Sequence, residues 1–114
     1  MKKSITIKMS YEDVCKEICN KMRSAFGIKL DKKNISNGIK FFPSGGFYGV
    51  EDNLEEVSII VKKVNNCSTN ICIEFDDKCQ RIMFDPTREF AATKAYSIFE
   101  KIYNYLKLES EVRL

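Results

Sequence analysis

Phe47, Tyr48, Tyr96, Phe99 and Tyr103 are the side chains of this sequence best suited to hold another molecule. Phe47 and Tyr48 follow the turn tip Ser44-Gly45-Gly46, while Tyr96, Phe99 and Tyr103 recur along a stretch of helical pattern. Aromatic rings offer large apolar areas, and a phenol adds a single hydrogen-bonding point that can orient an apolar body. Tyr96 and Tyr103 also read as residues of the core margin, with the ring buried and the hydroxyl wet.

Catalytic machinery is harder to assemble. The chain contains no histidine, which removes Ser-His-Asp and Cys-His nucleophiles, imidazole acid–base chemistry and most catalytic zinc sites. Neither G-x-x-x-x-G-K-[ST] nor G-x-G-x-x-G occurs to cradle a phosphate. The expectation is therefore a binding protein and not an enzyme, with no cofactor and no metal.

Five cysteines are present: Cys15, Cys19, Cys67, Cys72 and Cys79. Their odd number, with no export signal, argues against a disulfide framework. Cys15 and Cys19 share a helix face, but without a C-x-x-C knuckle they read as small core residues. Cys79, between Lys78 and Arg81, is the one thiol whose neighbours would favour a thiolate. The acidic pairs Glu51-Asp52, Glu55-Glu56 and Asp76-Asp77 lack the spaced ladder of a calcium loop and are expected to be solvated turn charges.

Charge is uneven along the chain. Residues 1–40 carry ten Lys or Arg against four acids, and residues 41–114 carry nine against twelve. A basic front half, with Phe41, Phe42, Phe47 and Tyr48 beside Lys40, is one way to stack single-stranded nucleic acid. Glu51, Asp52, Glu55 and Glu56 follow at once and oppose it. Nucleic acid therefore ranks below a small apolar ligand or a protein partner held in a groove between helix and sheet, and below a homodimer formed through a sheet edge.

The elements that must position these residues are well marked. Asp85-Pro86 is a helix start, and Ala92, Ala95, Phe99, Ile102 and Leu106 then recur by threes and fours toward Leu108. A second row, Ala91, Ala95, Ile98, Ile102 and Tyr105, widens the apolar stripe to one that must lie across a sheet. Ile5, Ile7 and Met9 alternate as a strand. Ser10 then caps a helix predicted over 11–26, closed by Gly27. Ile28 to Asn37 reads as a connection with room for a short strand. Gly38 to Phe42 reads as a strand, and Phe47 to Val50 as its return across the Pro43-Ser44-Gly45-Gly46 turn. Strands also follow around Val57, Ile59 and Val61, around Ile71, Ile73 and Phe75, and from Arg81 to Phe84.

The predicted fold is one α+β domain over residues 1–114: β-α-β(4-5)-α, a curved antiparallel sheet with both helices packed on one face. No apolar run is long enough to span a bilayer and no signal-peptide core follows Met1, so a cytoplasmic location is expected. This element order resembles the TBP-like and helix-grip (Bet v 1-like) architectures. The resemblance covers nearly the whole chain and implies a ligand groove between the long helix and the sheet. It carries over no catalytic residue.

Overall fold

Ser10 and Gly27 fix the first helix. In a computed structural model that describes residues 2–76 and 85–112, the Ser10 hydroxyl accepts from the Asp13 amide at 3.2 Å. At the other end Gly27 takes φ 65°, a conformation that costs a residue with a Cβ. The Gly27 and Ile28 amides then donate to Arg23 O and Met22 O at 3.0 and 2.9 Å. Helix α1 (Tyr11–Phe26) has the expected bounds and buries Val14, Ile18 and Met22.

The strands are β1 (Lys2–Ile7), β2 (Leu30–Ile35), β3 (Gly38–Pro43), β4 (Val57–Lys63) and β5 (Thr69–Phe75), followed by helix α2 (Pro86–Val112). They form one open sheet in the order β1-β5-β4-β3-β2, and every neighbouring pair is antiparallel. β2 to β5 run as a meander, and β1 comes round to pair with β5, placing Ile5 opposite Ile71. The fold is the expected α+β arrangement, with α2 packed across the sheet. The strand expected at Arg81–Phe84 lies outside the described residues.

Alternation decides which face is covered. Ile7, Phe41, Val57, Ile59, Val61, Ile71 and Ile73 are buried beneath the helices. The opposite face carries Lys2, Ser4, Lys62, Asn70 and Glu74, the usual division of an antiparallel sheet solvated on one side. β3 and β4 approach closely at Gly38, where a Cβ would meet Val61 O at 2.0 Å. α2 lays Ala92, Ala95, Phe99 and Leu106, each 0% exposed, on the sheet. The alanines let the helix backbone come close, and Phe99 fills the middle. Among the described residues no helix is long and apolar enough to cross a membrane.

Three expectations change. The connection after Gly27 contains a full six-residue strand, β2, because its neighbour β3 supplies partners from Leu30↔Pro43 to Ile35↔Gly38. Phe47 to Val50 does not return as a strand. Those two residues form an isolated bridge, and Gly46, Tyr48 and Gly49 have φ of 89°, 47° and 82°, which coils the chain too tightly for a ladder. Glu56, expected to be solvated, is 9% exposed, because it meets Arg88 of α2.

Candidate functional site

Arg88 is the residue that sequence patterning overlooks. It stands among Ala91, Ala92 and Ala95 on the buried side of α2, at the position where a helix stripe calls for an apolar residue. Its Nε donates to Glu56 Oε1, Nη2 donates to Glu56 Oε2 and to Asn53 O, each at 2.8 Å, and Nη1 donates to Asp52 Oδ1 at 2.7 Å. Burial works against the guanidinium charge, but its bonds to the Glu56 and Asp52 carboxylates outweigh that, and its pKa is raised above the ordinary value. Asp85 Oδ1 accepts from the Arg88 amide at 3.1 Å, the expected helix cap.

This clamp ties the start of α2 to the connection between β3 and β4. The connection is also held by Leu54 N donating to Pro43 O at 3.1 Å and by Gly45 N donating to Asn53 Oδ1 at 3.2 Å. Leu54 and Val50 are buried. Between these anchors the tip, Gly46 to Gly49, projects beside the C-terminal end of α1.

Tyr48 stands at that tip, 53% exposed and with its backbone in the left-handed region, an uncommon conformation for a bulky residue. Its ring lies edge-on to Phe47, with centroids 4.7 Å apart, and to Phe90 of α2 at 5.8 Å. Phe47 is half-buried and packs on the core.

A groove of about 460 Å³ opens here between α1, the tip and α2, walled by Phe26, Ile28, Phe47, Tyr48 and Ile98. It runs into a smaller annex of about 170 Å³, which shares Gly27, Ile28, Gly46 and Phe47 and adds Lys29, Ser44 and Gly45. Ser44 Oγ is buried and has no hydrogen-bond partner among the described residues. Ser44 N donates to Lys29 O at 3.0 Å, so these two annex residues are held side by side.

The five residues singled out from sequence do not share one cavity. Phe47 and Tyr48 wall the groove. Tyr96 and Tyr103 lie on the other flank of α2, over β5 and β1: Tyr96 packs edge-on to Phe75 at 6.0 Å, and Lys3 Nζ sits 5.3 Å from the Tyr103 ring centre. Burial raises the Tyr103 phenol pKa despite that lysine. Phe99 lies between the two clusters, fully buried. The helix–sheet interface is filled by side chains, and the groove stands between the helices and the loop. Phe26, Ile28 and Ile98, which wall it, gave no signal beyond ordinary apolar periodicity.

The remaining candidates fall into place around this. Phe41 and Phe42 are buried, so their rings do not form an exposed stacking platform with Lys40. Burial raises the thiol pKa of Cys15 to about 11 and also raises those of Cys19 and Cys72, which lowers the fraction present as thiolate. Cys79 lies outside the described residues. Among the described residues no three His, Cys, Asp or Glu side chains converge as a metal site. A polar hollow of about 290 Å³ on the open sheet face is lined by Lys40, Glu55, Glu56, Ser58, Glu74 and Asp76. Comparison with protein-family models, with curated proteins and with solved structures returns no match.

Proposed function

We propose that this domain binds a small apolar molecule in the groove between the end of α1, the Gly46–Gly49 tip and α2, and performs no catalysis. One observation supports this reading above the others: an exposed tyrosine in a disfavoured backbone conformation stands beside an open groove to which Phe26, Ile28, Phe47 and Ile98 contribute walls. Local strain of that kind persists where surrounding structure enforces it, and it gathers at binding and catalytic sites. The Arg88 clamp supplies the enforcement, because it holds the base of the loop that carries Tyr48.

The resemblance to helix-grip domains agrees with a binding role, with the groove displaced from the helix–sheet interface to the helix–loop junction. A homodimer through a sheet edge is the rival. Among the described residues β2 is one edge of the sheet, and it presents Lys32 and Lys33 with Asp31 and Asn34, charges and polar groups that discourage edge pairing.

Native mass spectrometry of reduced protein, followed by titration with a panel of small apolar molecules, tests the reading. The expected result is one bound molecule per chain. Ile98→Glu, which places a charge in the wall, should abolish binding, and Tyr96→Phe on the other flank should leave it unchanged. A concentration-dependent dimer with no bound molecule would favour the edge instead.

A further inference from the structure

Phe90 and Phe99 leave α2 in opposite directions. They stand about two and a half turns apart, so Phe99 is fully buried on the sheet while Phe90 is 52% exposed on the outer side. Lys94, Ser97 and Lys101 follow Phe90 along that outer side by steps of four, three and four, and all three are exposed. Tyr48 joins them from the tip, its ring centre 5.8 Å from that of Phe90. Among the described residues four large apolar side chains are exposed, and Tyr48 and Phe90 are two of them, in contact with each other.

Cations gather around this aromatic pair. Lys94 Nζ is 5.7 Å from the Phe90 ring centre, Lys101 Nζ is 5.9 Å from that of Phe26, and Lys21 Nζ is 4.4 Å from that of Tyr105. Arg23 is exposed in the last turn of α1. None of the four forms a salt bridge among the described residues. Several nearby acids are already engaged: Glu17 accepts from the Tyr105 hydroxyl at 3.3 Å, Asp52 is held by Arg88, and Glu100 is paired with Lys3. Glu51 and Glu89 remain to oppose the cations. Glu17 meets Tyr105 and Phe26 meets Lys101, so the two helices run antiparallel. Glu12, Asp13, Glu109 and Glu111 therefore fall together at the far end of the helix pair.

We propose that this face docks the domain onto an anionic lipid surface, with Tyr48 and Phe90 entering the headgroup layer and Lys94, Lys101, Lys21 and Arg23 meeting lipid phosphates. An aromatic ring with a polar tip suits the boundary between headgroups and acyl chains. Lysine stems lie against apolar surface while the ammonium reaches outward, and anionic leaflets attract such cations. Contact is confined to the surface, since no described helix is long and apolar enough to cross a membrane. Single-stranded nucleic acid stacks on open ring faces, whereas the Tyr48 and Phe90 rings meet at 74°, an edge-on pair that offers no continuous stack. Docking does not depend on the groove being occupied, although the groove opens beside Tyr48.

Co-sedimentation of the full chain with phosphatidylcholine vesicles, alone or mixed with an equal part of phosphatidylglycerol, tests the proposal. Binding to the anionic vesicles only, weakened by salt, is expected. Each cation near such a surface is worth about fivefold, so Lys94→Glu/Lys101→Glu should lose about 25-fold or more. Lys33→Glu/Lys62→Glu makes the same change in net charge on the open sheet face and should keep most of the binding. Phe90→Ser should weaken it, and Leu108→Ser, which removes a 62% exposed apolar residue at the acidic end, should not. The chain has no tryptophan, so Tyr48→Trp supplies a lone fluorophore whose emission should move to shorter wavelength on anionic vesicles. Equal losses from the two charge-reversal pairs, unmoved emission from vesicle-bound protein, or binding to neither vesicle would each overturn the proposal and leave the groove reading standing. Salt-sensitive retention on single-stranded DNA without vesicle binding would assign the cations to nucleic acid and overturn it as well.

Discussion

Arg88 and Glu56 face each other below the surface, 32 positions apart in sequence, with two guanidinium nitrogens on the two carboxylate oxygens. Their side chains are 4% and 7% exposed. A two-point pair fixes orientation as well as distance, so the first turn of α2 and the end of the β3–β4 connection are set in one geometry. Asp52, with a 61% exposed side chain, closes the solvent side of the clamp.

Breaking the clamp from one side should be costly. Arg88→Met leaves Glu56 as a buried charge without its partner and should lower unfolding free energy by about 3–5 kcal/mol. The double variant Arg88→Met/Glu56→Leu, which removes both charges, should recover most of the loss. Urea denaturation of the two variants checks this. A double variant no more stable than Arg88→Met would show that the pair contributes more than mutual neutralisation.

Phe99 and Ile98 are neighbours in sequence with opposite tasks. Phe99→Ala empties the centre of the helix–sheet interface and should cost about 3–5 kcal/mol. Ile98→Ala trims a half-buried groove wall and should cost less than about 1.5 kcal/mol, while weakening capture of an apolar molecule. Thermal unfolding and ligand titration on the same two proteins separate the roles.

Tyr48→Gly sets two effects against each other. Releasing a left-handed backbone from its Cβ returns about 1–3 kcal/mol, and losing two edge-on ring contacts removes about 0.5–1.5 kcal/mol for each pair. The variant should therefore unfold within about 1 kcal/mol of the parent and bind apolar probes poorly. A large stability loss would mean that the tyrosine serves packing.

Alkaline pH should weaken the fold through its buried thiols. Cys15 titrates ordinarily at 9.0 and in the folded chain at about 11, chiefly through burial. A raised folded pKa gives stability that is complete below the unfolded value and falls as pH rises from 9.0 toward about 11. Cys19 and Cys72 shift in the same direction. Stability measured by urea at stepped pH should decline across that window, and Cys15→Ala should flatten the decline. In native protein at pH near 8, thiol labelling should reach exposed Cys67 well before Cys15 and Cys72.

Much of the architecture was legible because it rests on local rules. Ser10, Gly27 and Asp85 mark helix ends by chemistry that acts within a few residues, and Ile71, Ile73 and Phe75 alternate because one face of β5 is buried. Less could be read where distant parts meet. β2 looked like a connection because its lysines and asparagine are edge residues, whose strand character comes from pairing with β3. Nothing local marks Arg88 as a buried residue, because its partners are far away in sequence. The separation of Phe47 and Tyr48 from Tyr96 and Tyr103 was hidden for the same reason: Phe26, Phe47 and Ile98 come from three separate segments, and periodicity within a segment does not show which segments touch. Tyr96 and Phe47 share aromatic character, and only the packed helix reveals that it stands between them.

The pairing of β1 with β5 bears on how the chain can be made. Ser4 and Asn70, hydrogen-bonded across those strands, are 66 positions apart, and among the described residues β1 has no other strand neighbour. On the ribosome β1 must wait while α1 and the strands from β2 to β5 are synthesised. Until β5 appears, Ile5 and Ile7 have no ladder to join, and closing so long a loop is slow. The described sheet therefore completes late, by docking of β1 onto β5. A chain stalled before residue 69 would carry an apolar, unpaired strand open to other chains.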